Sequence, residues 1–73
     1  MSSWDYTYYD AKHALDCARD CEGRSKAGKL KEAHNTASLL PDYYPGKEEL
    51  LAEIERYARN CGINLSEISG YYP

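Results

Sequence analysis

Residues 46–62 read GKEELLAEIERYARNCG. Leu50, Leu51, Ile54, Tyr57, Ala58 and Cys61 recur in that stretch at intervals that a chain turning about 100° per residue gathers onto one face. Glu48, Glu49, Glu53, Glu55, Arg56 and Arg59 fall elsewhere. The acids open the segment and the arginines close it, as the helix dipole prefers, and Gly62 supplies the left-handed residue that stops a helix. The pattern predicts a helix near residues 46–61.

Immediately upstream, Pro41 and Pro45 bracket Asp42, Tyr43 and Tyr44, and Gly46 follows. Proline cannot continue a helix and presets its own φ, so this segment reads as a rigid connector. Before it, Leu30, Ala33, Ala37 and Leu40 share a face, predicting a second helix near 29–40 that Pro41 ends. Further upstream, Trp4, Tyr8, Ala11, Ala14, Leu15, Ala18 and Cys21 fall within an arc of about 140°, which predicts an amphipathic first helix near 3–26. Ser2 or Ser3 can cap it, and Asp5 suits its first turn. Its stripe is made mostly of small residues, so a neighbouring helix can approach closely. Gly23 weakens its end, and the stretch to Gly28 reads as fraying followed by a turn. After Gly62, Asn64 or Ser66 opens a short turn or helical piece through Ile68, closed by Gly70 and Pro73.

The expected fold is therefore all-α: one domain over residues 1–73, a three-helix bundle with a short C-terminal turn. Its expected core is Ala14, Leu15, Ala18, Leu30, Ala33, Ala37, Leu50, Leu51, Ile54 and Ala58. A domain of this length buries only about 60% of the surface its unfolded chain exposes, so its stability is expected to be thin. Domains of this kind often add a metal, a disulfide or a partner.

Nine basic against twelve acidic side chains give a formal charge of −3. An acidic chain has no general electrostatic grip on nucleic acid or an anionic membrane, and neither is an expected partner. No apolar run approaches the length of a membrane helix, and MSSWDYTYYD lacks the basic and apolar regions of a signal peptide. With three cysteines and no secretion signal, reduced thiols in a cytoplasmic setting are expected.

The aromatic residues are eight tyrosines and one tryptophan, with no phenylalanine. Tyrosine joins apolar area to a hydroxyl that prefers water or a partner, so it suits half-buried positions and interfaces. Trp4, Tyr8, Tyr9, Tyr43, Tyr44, Tyr71 and Tyr72 form the expected binding surface for another protein or a second copy; the competing reading is that they wrap the rim of a small core. Tyr6 belongs to the first of these clusters.

Three constellations bear on chemistry. Gly23-Arg-Ser-Lys-Ala-Gly28-Lys29-Leu30 approaches a phosphate-binding loop, but Leu30 stands where a magnesium-holding hydroxyl is required, and no strand precedes it. It reads as an inter-helix turn. His13, Cys17 and Cys21 recur every fourth residue and, with Cys61 or His34, have the ligand types of a tetrahedral zinc site. Paired C-x-x-C spacing is missing, and Cys21 and Cys61 lie in apolar stripes where a thiol packs as a small hydrophobe. No metal and no cofactor are expected. A Cys–His catalytic pair lacks any nameable oxyanion-stabilising loop or orienting group, so no enzyme is expected.

Two resemblances follow from particular residues. Alanines along the first helix, then Gly28-Lys-Leu-Lys-Glu-Ala33, Ala37, Leu40, Pro45 and Leu50-Leu51-Ala52-Glu53-Ile54, resemble a tetratricopeptide-type helical hairpin with a capping helix over residues 11–61. Gly28 takes the mid-repeat turn in that register, and Arg24, Leu40 and Pro41 depart from the pattern. The resemblance implies peptide or protein binding and assigns no contact residue. Tyr57-Ala58, Cys61-Gly62-Ile63, Ile68 and Tyr71 resemble a helix-turn-helix of DNA-binding regulators. Its recognition helix, Asn64 to Tyr72, carries Glu67 and no Lys or Arg. The function expected is a small non-enzymatic interaction module or regulator, an inhibitor or adaptor of a larger protein. A helix-turn-helix regulator and a zinc-stapled domain are the alternatives.

Overall fold

The computed structural model describes residues 4–65. Three helices fill most of that span: α1 (Trp4–Asp20), α2 (Gly23–Ser38) and α3 (Lys47–Asn60). Among the described residues there is no strand. The expected three-helix architecture is present. α1 and α2 form an antiparallel hairpin and the main interface, while α3 packs chiefly on α2 and touches α1 only sparingly.

The core is the set of small and aliphatic residues that helical spacing brings inward. Ala11, Ala14, Leu15 and Ala18 of α1 meet Leu30, Ala33 and Ala37 of α2, and Leu50, Ile54 and Ala58 of α3 close the third side. Alanine at so many contact positions lets the helix backbones approach closely, and Leu15, Leu30, Leu40 and Ile54 supply the volume. Ala11 and Leu40 are buried beyond the expected core, whereas Leu51 is only half-buried against it. No buried side-chain nitrogen or oxygen among the described residues lacks a hydrogen-bond partner.

One boundary departs from expectation. The first helix ends at Asp20 rather than near residue 26, the chain turns through Cys21 and Glu22, and α2 begins at Gly23 rather than near residue 29. Glu22 is extended and Gly23 has φ +59°, a left-handed conformation that reverses the chain within two residues. Gly28, expected at the turn, lies buried inside α2. Helix propensity costs a mid-helix glycine only about 1 kcal/mol, which packing readily offsets. The segment resembling a phosphate loop is therefore helical throughout, and its backbone N–H groups are not arranged as a loop.

The other boundaries follow their sequence signals. α2 stops before Pro41, with the Leu39 and Leu40 amides donating to Thr36 and Ala37 carbonyls at 3.2 and 3.1 Å. α3 ends in a Schellman motif: Ile63 N donates to Ala58 O at 2.8 Å, Gly62 N donates to Arg59 O at 3.0 Å, and Gly62 has φ +74°. Ile63 then packs back on the core.

Polar side chains tie α3 in place. Arg19 donates to Glu53 at 2.9 Å while its guanidinium lies 5.7 Å from the centre of the Tyr57 ring. Lys26 donates to the Tyr57 hydroxyl at 2.8 Å, a bond that raises the lysine's pKa above its ordinary value. His34 Nε2 and Glu55 Oε2 are 3.2 Å apart, and Lys31 donates to the Leu65 carbonyl at 3.0 Å.

Candidate interaction surface

The connector between α2 and α3 is two consecutive turns. Tyr44 N donates to Pro41 O at 2.9 Å, and Lys47 N donates to Tyr44 O at 3.2 Å. In the second turn Pro45 and Gly46 are the central residues, and Gly46 has φ 91° and ψ −5°, the third-position geometry of a type II turn. Its carbonyl then accepts the first α3 bond, from Leu50 N at 2.9 Å. Lys47, its side chain mostly buried, donates to Asp42 at 3.1 Å across the connector.

These turns press Tyr44 against the start of α1. Its hydroxyl donates to Asp5 at 2.6 Å, and its ring lies 5.5 Å from that of Tyr8. A Cβ placed on Gly46 would lie 3.4 Å from the Tyr8 hydroxyl, so the second turn is seated directly on Tyr8. Tyr9 meets Tyr8 edge-on at 5.9 Å, and the Lys12 ammonium lies 5.4 Å from the centre of the Tyr8 ring. The hydrogen bond to Asp5, with burial and the carboxylate's negative charge, pushes the Tyr44 pKa up to about 12.

Around this brace the remaining aromatics face solvent: Tyr43 is 80% exposed, Tyr9 67%, Tyr6 66% and Trp4 36%. Leu39, where the connector begins, is 68% exposed. Of the sequence-expected surface, then, Trp4, Tyr9 and Tyr43 are exposed at one end of the bundle, and Tyr8 and Tyr44 are half-buried beneath them. Tyr71 and Tyr72 lie outside the described residues. Tyr6, a member of the first aromatic cluster, joins the surface, and Leu39 joins it without a signal in the sequence. Tyr6 sits off the α1 stripe, which is the signal that marks it as outward-facing.

The metal ligands considered do not assemble. His13 Nε2 and Cys17 Sγ are 3.5 Å apart, but among the described residues no group of three or more His, Cys, Asp or Glu converges. His34 is engaged with Glu55, and Cys61 is exposed beyond the end of α3. Of the residues in the helix-turn-helix resemblance, Tyr57 and Ala58 lie in α3, Cys61, Gly62 and Ile63 follow its end, and Ile68 and Tyr71 lie outside the described residues. No described helix is long and apolar enough to cross a membrane.

No protein-family model matches the chain, and no curated protein or solved structure matches it.

Proposed function

We propose that the chain is a small non-enzymatic interaction module whose aromatic end, centred on Trp4, Tyr6, Tyr9 and Tyr43, binds another protein or a second copy of itself. The observation that carries this reading is the separation of roles among neighbouring tyrosines. Tyr8 packs against the core and Tyr44 packs on Tyr8 and bonds to Asp5, while Tyr6, Tyr9 and Tyr43 spend their area on solvent. Aromatic rings offer large contact area for little rotamer entropy, so a fixed cluster of them makes a binding hot spot. The type II turn and the Asp5–Tyr44 bond hold the cluster on a rigid base, which lowers the ordering cost of association. In the cytoplasmic setting expected from the sequence, such a module acts as an inhibitor or adaptor of a larger protein.

The test compares the full chain with its Tyr9→Ser/Tyr43→Ser variant as bait in extract of the native host, with quantitative mass spectrometry and sedimentation of each protein alone. The expected result is at least one protein, or a second copy of the chain, retained by the wild type and depleted about tenfold or more by the variant. Identical retained sets and identical sedimentation contradict the reading.

A further inference from the structure

The fold displays, on its own solvent-exposed surface, how it holds a guanidinium. Arg19 lies 5.7 Å from the centre of the Tyr57 ring while donating to the Glu53 carboxylate at 2.9 Å, so one planar cation is held by a tyrosine face and a carboxylate together. The aromatic end repeats those two chemical elements on its outside. Tyr43 follows Asp42, whose side chain stays fully exposed although Lys47 donates to it. Tyr6 follows Asp5, and Tyr9 precedes Asp10.

Charge points the same way. Asp5, Asp10, Asp42, Glu48 and Glu49 are met at this end by Lys12 and Lys47, five acids less two bases, which equals the −3 of the whole chain. The other described residues carry six acids and seven bases, so none of the negative excess of the described residues lies with them. Both local lysines are already engaged, Lys12 against the Tyr8 ring and Lys47 with Asp42. Among the described residues, the negative excess is thus gathered where Trp4, Tyr6, Tyr9 and Tyr43 are exposed.

We infer that the partner surface received by this end is an arginine-bearing protein segment, its guanidinium groups stacking on Tyr43, Tyr9 and Tyr6 while pairing with Asp42 and Asp10. Arginine is favoured over lysine because its planar fork stacks on a ring and meets a carboxylate bidentately, and because it sheds water at lower cost. The inference rests on the interaction reading above and adds the chemistry of the partner.

The full chain is titrated with four peptides, alternating Gly-Arg, Gly-Lys, Gly-Glu and Gly-Ser decapeptides, followed by calorimetry and by NMR of the tyrosine ring resonances. The Gly-Arg peptide should bind about tenfold more tightly than Gly-Lys, and Gly-Glu and Gly-Ser should not bind. Ring resonances of Tyr6, Tyr9 and Tyr43 should move, and Asp42→Asn and Tyr43→Ser should each weaken binding while leaving the far-ultraviolet dichroism unchanged. Raising salt from about 50 to about 500 mM should weaken it further. Absence of Gly-Arg binding, equal affinity for Gly-Ser, or ring shifts confined to Tyr57 overturns the inference. If Gly-Arg fails while the Tyr9→Ser/Tyr43→Ser variant still loses its retained protein or its self-association, only the arginine assignment falls and the interaction reading stands.

Discussion

Tyr43 and Tyr44 are neighbours in sequence with opposite environments, one 80% exposed and the other hydrogen-bonded to Asp5 beneath the Tyr8 ring. The difference comes from the two turns, which point one ring outward and the next toward α1. The Tyr44–Asp5 bond has a pH signature. Because the folded pKa, about 12, lies above the ordinary tyrosine value of 10.0, the pair's contribution to stability is complete below pH 10. It is lost as the pH rises through 12. Absorbance titration of the phenolates should therefore show one tyrosine ionising well above the ordinary value of 10.0, and Asp5→Asn should bring it down toward that value. A single coincident ionisation of all tyrosines, unchanged by Asp5→Asn, would contradict the bond. The aromatic clustering at this end was legible in the sequence, since Trp4 and Tyr8 lie on the α1 stripe and Tyr43 and Tyr44 lie between prolines. Which ring turns outward was not, because that depends on the turn geometry and on a long-range partner, Asp5.

Among the elements, the connector has the least tolerance for change. Gly46 combines φ 91° with a near neighbour, since an added Cβ would sit 3.4 Å from the Tyr8 hydroxyl. Gly23, at φ 59°, has nothing within 4 Å of such a Cβ. Gly46→Ala should thus cost about 1 to 3 kcal/mol, and Gly23→Ala less, as read by urea denaturation followed by circular dichroism. Equal costs would mean that the Tyr8 contact exerts no constraint. The helix ends were readable where chemistry forces them: Pro41 ends α2, and Gly62 forms the Schellman stop of α3. The α1–α2 turn was not. Gly23 and Gly28 are both glycines in one basic stretch, and local propensity cannot say which of them leaves the helix. Burial of Gly28 within α2 settled it in favour of Gly23, a tertiary outcome that also moves the tetratricopeptide-like register's turn off Gly28.

For the molecule as a whole, the α1–α2 hairpin is the larger interface and α3 is the latch that completes the core. Ile54 is the large α3 side chain that the core buries completely. Truncation of such a residue costs about 2 to 5 kcal/mol, close to the roughly 3 to 5 kcal/mol that a domain of this size commands. Ile54→Ala should therefore leave the chain largely unfolded at room temperature by circular dichroism, and a cooperative transition near that of the wild type would show that α3 is dispensable to the core. Spacing alone revealed nearly all of this core, because helical periodicity governs burial in a bundle. The proposed function was less legible, since the proposal rests on area left outside the core after packing is complete. The central claim is that this leftover aromatic area is a binding surface and not core closure, and it separates cleanly when stability and association are measured on the same variants. Tyr6→Ser, Tyr9→Ser and Tyr43→Ser, made singly in the full chain, should each leave the melting temperature nearly unchanged while weakening association with a partner or a second copy. A loss of about 3 kcal/mol of stability in each, as for a core truncation, with association undiminished, would contradict it.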